Sequence, residues 1–131
     1  MTRVYLDWNA TAPLRPEARA AMVGAMDLVG NPSSVHAEGR AAKALVERAR
    51  AQVAAALGAD GADVVFVSGA TEAAALACAG RGIVCSDVEH EAVSAWCSPS
   101  LAAGPDGRVA VDDPGRAALQ LANSETGIVQ A

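Results

Sequence analysis

Three short polar clusters in this chain carry the groups that could do chemistry. Ser68-Gly69-Ala70-Thr71 stands where an apolar run gives way to an alanine-rich segment. The unpaired N–H groups of a helix's first turn, backed by the helix dipole, hold anions such as phosphate, and Thr71 would add a hydroxyl. Asp87-Val88-Glu89-His90 offers an imidazole, which titrates near neutrality and can move protons. Asn123-Ser124-Glu125-Thr126-Gly127 adds an amide, hydroxyls and a carboxylate. Each cluster alone has a plainer explanation: Ser and Thr cap helices, a histidine after a strand also serves structure, and Asn and Ser form turns. The Ser68–Thr71 turn is neither the dinucleotide-binding G-x-G-x-x-G nor the P-loop G-x-x-x-x-G-K-[ST].

What joins the clusters is that each follows an apolar run. Val64 to Val67 is non-alternating, as in a strand buried on both faces, and a helix from Thr71 to about Ala79 and a strand over Gly82-Ile83-Val84-Cys85-Ser86 complete a βαβ unit. A short helix is expected from Glu91 to Cys97, a loop from Pro99 to Asp106, a strand over Arg108 to Val111, and a last strand over Ala118 to Ala122. Ligands of parallel sheets bind beyond the carboxyl ends of strands, so three such ends on adjacent strands would share one crevice.

Upstream, Val4-Tyr5-Leu6 reads as a short strand and Asp7 to Pro13 as a polar turn. A helix opens near Pro16 and runs towards Val29, where Gly30-Asn31-Pro32 stops it. Asn31, Ser33 and Ser34 are competent caps for a long helix from about Ala37 to Leu57, whose stripe is Ala42, Leu45, Ala49, Val53 and Ala56; a Gly-Ala-Asp linker follows at 58 to 63. The reading divides the chain into residues 1–58, an N-terminal segment with two helices, and residues 59–131, a partial α/β domain.

The 131 residues suffice for one core, and 52% of them are apolar, but aromatics make up only 3%, so packing must rely on small side chains. A net charge of -5 without a basic run argues against nucleic acid or an anionic membrane as a partner. No apolar stretch approaches the length of a membrane span or a signal sequence, which reads as a cytoplasmic protein. Cys78, Cys85 and Cys97 have neither C-x-x-C spacing nor paired histidines, so they read as core or surface thiols with no metal site.

Five stretches in order, Tyr5 to Ala12, Gly30 to Arg40, Ser68 to Ala73, Glu89 to Val93 and Asn123 to Gln130, together resemble the N-terminal part of the cysteine desulfurases, class V aminotransferase-fold enzymes that use pyridoxal 5'-phosphate (PLP). The resemblance implies an α/β fold: the first half of a fold-type-I PLP-dependent transferase large domain, a mainly parallel sheet with flanking helices, preceded by an N-terminal helical section. It implies that Ala70 and Thr71 bind the cofactor phosphate and that His90 stacks on the pyridine ring and moves protons. Ser124 occupies the position of the family asparagine that reaches the ring hydroxyl, with Asn123 its neighbour. The complete enzyme would convert L-cysteine to L-alanine, pass sulfur as a persulfide to an acceptor protein for iron–sulfur cluster or thio-cofactor assembly, and form a homodimer.

The sequence also departs from the family. Its usual Asn-Asn-Glu is Asn123-Ser124-Glu125, and Trp8 replaces a small or polar residue. The Schiff-base lysine, the pyridine-nitrogen carboxylate and the sulfur-accepting cysteine have no counterpart here, and the only lysine, Lys43, reads as a solvated helix charge. This chain alone is therefore expected to be inactive. A selenocysteine lyase, a related aminotransferase or a non-catalytic interaction fragment are the alternatives.

Overall fold

The computed structural model describes residues 3–59 and 61–130. Position 60 of the expected 58–63 linker lies outside them. The chain divides into two units, Met1–Val65 and Phe66–Ala131.

The first unit is helical. α1 (Pro16–Met26) starts with proline in its first turn, where a missing N–H costs nothing. It ends before the expected Val29, because Leu28 N–H turns back to the Ala25 carbonyl at 3.2 Å and tightens the chain out of the helix. α2 (Ala37–Ala56) matches its expected span, yet the cap is neither serine nor Asn31. His36 takes that place, with Nδ1 2.8 Å from Glu38 Oε2 and 3.4 Å from Gly39 N. Asn31 instead closes the preceding turn by accepting Ser33 N–H at 2.9 Å. That turn lies on the helix: a Cβ at Gly39 would sit 2.4 Å from the Ser34 carbonyl oxygen. Ala21, Gly24, Ala25 and Leu28 of the α1 region face Ala41, Ala44 and Leu45 of α2 across an apolar groove of about 520 Å³.

Two expected strands do not form. Val4-Tyr5-Leu6 is exposed, and Tyr5 Oη bonds the Asp7 and Thr11 carbonyls at 2.6 and 3.0 Å, folding the segment into a turn. Val64 to Val67 stays outside the sheet, with Val65 69% exposed, while the Arg50 guanidinium takes the Val64 carbonyl. An apolar run makes a strand only where a ladder partner stands beside it.

The second unit holds the sheet. Helix α3 (Ala70–Cys78) precedes β1 (Val84–Ser86), α4 (Glu91–Ser94), β2 (Ser98–Leu101) and β3 (Ala117–Ala118). The strand order is β2-β1-β3, and both pairings are parallel. The fold is thus α/β with a parallel sheet and flanking helices, as expected, although the βαβ unit is β1-α4-β2 rather than the one drawn from Val64.

β2 falls in a segment expected to be loop. Its Pro99 is tolerated because β2 is an edge strand, where a ladder N–H is dispensable. The expected strand at 108 to 111 is reduced to a bridge between Ala103 and Val109, and that at 118 to 122 to β3 and an antiparallel bridge from Ala122 to Val129. Between them Pro114–Arg116 forms a 3-10 turn whose Arg116 donates to the Gly82 carbonyl at 3.3 Å. Of the apolar side chains, only Ala42, Cys78 and Cys85 are buried among the described residues.

Candidate functional site

β1 is the central strand, and both its neighbours run parallel to it, so the segments after β1 and β3 leave the sheet on the same side. They are tied together there. Asn123, only 3% exposed, donates from Nδ2 to the Val88 carbonyl at 2.9 Å. Glu89 Oε1 accepts Gln120 N–H at 2.9 Å, one residue nearer His90.

Asn123 also builds its own turn. Its Oδ1 accepts Glu125 N–H, Thr126 N–H and Thr126 Oγ1 at 3.0, 2.9 and 3.1 Å. Beyond it, Gln130 fastens the returning strand, accepting Val109 N–H and donating to the Gly107 carbonyl, both at 3.0 Å.

His90 caps α4. Its Nδ1 accepts Ala92 N–H at 3.0 Å, which in the neutral ring leaves the proton on Nε2. The exposed imidazole lines an open cleft of about 510 Å³ with Asp87, Val88, Glu89, Glu91 and Glu125. Four carboxylates therefore surround the histidine. Glu89 is the buried one, and its Oε2 has no hydrogen-bond partner among the described residues.

Of the expected site residues, the structure brings His90 and the 123–127 turn together. Ser124 is half-buried beside that turn, its N–H and Oγ both 3.3 Å from Gln120 Oε1. Ala70 and Thr71 open α3, which packs against α4, but they do not line the His90 cleft. Their cluster does not follow a sheet strand, so the three-strand crevice is reduced to two strand ends.

The α3 terminus still has an anion site's chemistry. Its N-cap is Gly69, no side chain caps the first turn, and space is open around the Gly69 Cα. Ser68, in contrast, is engaged: its N–H and Oγ reach Glu72 Oε2 at 2.7 and 2.6 Å. Those hydrogen bonds, the hydroxyl's first, hold the exposed Glu72 carboxyl below the usual carboxylate range. A phosphate would therefore meet the Ala70 and Thr71 N–H groups and the Thr71 hydroxyl, with Ser68 committed elsewhere.

The cysteines form a group apart from the cleft. Cys97 lies beside Cys78 and Cys85; burial, then Cys78, pushes its thiol up to about 12, and burial raises Cys85 as well. All three are free thiols. Among the described residues no set of three His, Cys, Asp or Glu side chains is placed to hold a metal ion.

Sequence reasoning placed Asn123 and Glu89 in the polar clusters but not as the ties between them, and it missed Gln120 and Gln130. Three of these four are buried polar side chains, a state that spacing does not announce. The one signal available was that Asn123 opens a dense polar turn after an apolar run.

The parallel sheet, the turn beyond its central strand and the uncapped helix together suit a class defined elsewhere by sequence. The chain matches the Aminotransferase class-V family over residues 4–126 and belongs to it. It is 42% identical over 104 residues to cysteine desulfurase IscS of Dictyoglomus turgidum, covering 72% of this chain and 26% of that protein. A cysteine desulfurase of a Frankia species is 38% identical over 137 residues, covering 84% and 33%. A selenocysteine lyase of Bos taurus is 48% identical over 71 residues, covering 53% and 16%. The likeness to cysteine desulfurases expected from the five motifs is borne out. The chain spans between 16% and 33% of the length of these three relatives.

Proposed function

We propose that this chain carries the phosphate-and-histidine half of a PLP-dependent cysteine desulfurase. The supporting observation is His90: it ends the central parallel strand's following turn, with Nδ1 occupied and its ring lining the cleft. The α3 terminus fits the cofactor's phosphate, having an uncapped first turn and an open Gly69. Ala70 and Thr71 would hold that phosphate through their N–H groups and the Thr71 hydroxyl. His90 would stack on the ring and move a proton at Nε2, and Ser124 would reach towards the ring hydroxyl. When bound, PLP supplies the electron sink for breaking the carbon–sulfur bond of an amino acid.

In the whole protein the substrate is L-cysteine, the product L-alanine, and the sulfur passes as a persulfide to an acceptor protein for iron–sulfur cluster or thio-cofactor assembly. The setting is the cytoplasm and the assembly a homodimer; among the described residues no helix is long and apolar enough to cross a membrane. On its own this chain is inactive, since its one lysine, Lys43, lies on α2 outside any Schiff-base motif, and its thiols are buried or raised in pKa. The 48% identity to a selenocysteine lyase supports L-selenocysteine as the second reading.

The test is PLP titration followed by absorbance, then borohydride reduction and intact mass. A saturable visible band with no reduced adduct is expected, and both its absence and an adduct on Lys43 overturn the reading.

A further inference from the structure

We infer that Asn123 is the positioning residue of His90, acting through the Val88 carbonyl. The inference deepens the proposed function, since it rests on His90 being the working imidazole. Asn123 itself touches no part of the open cleft; it is buried, and its two ends do different things. The Oδ1 end collects three donors and closes the 123–127 turn. The Nδ2 end leaves that turn and donates across to Val88, two residues before His90 and 35 positions back in the chain.

Only an amide can do both. A carboxylate would keep the three acceptor contacts and lose the donor, setting an oxygen against the Val88 carbonyl. The tie matters because it fixes the segment leading into His90, whose ring accepts Ala92 N–H and whose carbonyl accepts Val93 N–H and Ser94 N–H at 2.8 and 3.2 Å. His90 sits at a non-helical position, φ -59° and ψ 145°, where its backbone must be held for Nδ1 to meet the Ala92 N–H. The Gln120–Glu89 bond braces the same segment from β3's side, so positions 88 and 89 are both held by the following strand's loop. With the segment fixed, Nδ1 is an acceptor and Nε2 carries the neutral ring's proton.

Asn123→Asp separates the two ends. In the isotopically labelled 131-residue chain, long-range ¹H–¹⁵N spectra report the His90 tautomer, and amide exchange reports the Ala92 cap. In Asn123→Asp the expected result is Ala92 exchange faster by about tenfold, the size of one lost hydrogen bond with its buried partner left unpaired, and a His90 Nδ1 signal moved towards the tautomer-averaged position. Glu125 and Thr126 amides should keep wild-type protection. Thr126→Val, which weakens only the turn, should leave His90 unchanged.

An Asn123→Asp protein with wild-type His90 signals and Ala92 exchange overturns the inference, as does a Thr126→Val protein that shifts His90 equally. If Asn123→Asp fails to fold by circular dichroism, the wild-type chain decides. Slow exchange of the Asn123 side-chain amide protons, with a nuclear Overhauser contact to the Val88-Glu89 backbone, supports the tie; fast exchange removes it. His90→Ala with unchanged PLP affinity would instead strike the cofactor role while leaving this geometry standing.

Discussion

The side-chain amide of Asn123 donates to the main-chain carbonyl of Val88 at 2.9 Å, joining the turn after β3 to the turn after β1. Four further contacts within 3.1 Å converge on Asn123 and its neighbour Gln120: three donors on Asn123 Oδ1, and Gln120 N–H on Glu89. Among the described residues of this unit the buried apolar side chains are Cys78 and Cys85, so this polar cross-link adds order that apolar packing does not supply. Asn123→Ala should therefore lower the unfolding free energy by about 1–3 kcal/mol, the cost of buried groups left unpaired. Urea denaturation followed by Trp96 fluorescence measures it.

Glu89 makes a contrasting prediction. Its Oε1 accepts Gln120 N–H, but Oε2 is buried without a partner among the described residues. Glu89→Gln keeps the acceptor and removes the buried charge, which is the more expensive group to leave unsatisfied. Its urea midpoint should equal or exceed the wild type's, whereas Glu89→Ala, which strands Gln120 N–H, should fall by about 1–2 kcal/mol.

At the α3 terminus the expected anion contacts are two N–H groups and the Thr71 hydroxyl. Thr71→Val keeps the shape and removes the hydroxyl, so PLP should bind about fivefold more weakly, the worth of one hydrogen bond. Equal affinity in an absorbance titration would show that the hydroxyl takes no part.

Glu72 gives a pH dependence. Its carboxylate holds Ser68 N–H and Oγ, and its pKa is lowered in the folded chain. A lowered folded value means that the Ser68–Glu72 turn is favoured above the ordinary glutamate range and lost as pH falls through the lowered one. The Ser68 amide resonance should titrate with a midpoint below 4.5, and Glu72→Gln should abolish that titration.

The thiols should be sluggish. With Cys97 pushed up to about 12 by burial and Cys78, it holds far less thiolate at pH 8 than a free cysteine. Alkylation by iodoacetamide at pH 8, read by intact mass, should be slow until urea is added; rapid labelling of the folded chain would contradict the thiol cluster.

Much of the local structure was legible from residue types. Helices α2 and α3 follow from helical periodicity and their flanking Gly and polar turns, since 3.6-residue repetition is written in the chain itself. His90 and Thr71 stand out because imidazole, hydroxyl and helix-terminus chemistry belong to the residues before any folding, whereas Ala70 and Ser124 are placed by the family resemblance of their motifs.

What the tertiary structure decided is which of these parts meet. Val64 to Val67 is as apolar as any strand in the chain, yet it stands outside the sheet, while Ser98-Pro99-Ser100-Leu101 is inside it. Ladder hydrogen bonds need a partner at 4.7–4.9 Å or so, and no local pattern encodes who the neighbour is. The same holds for the site: the chain determines that residue 123 is an amide and residue 88 has a carbonyl, but only the parallel placement of β1 beside β3 puts one on the other.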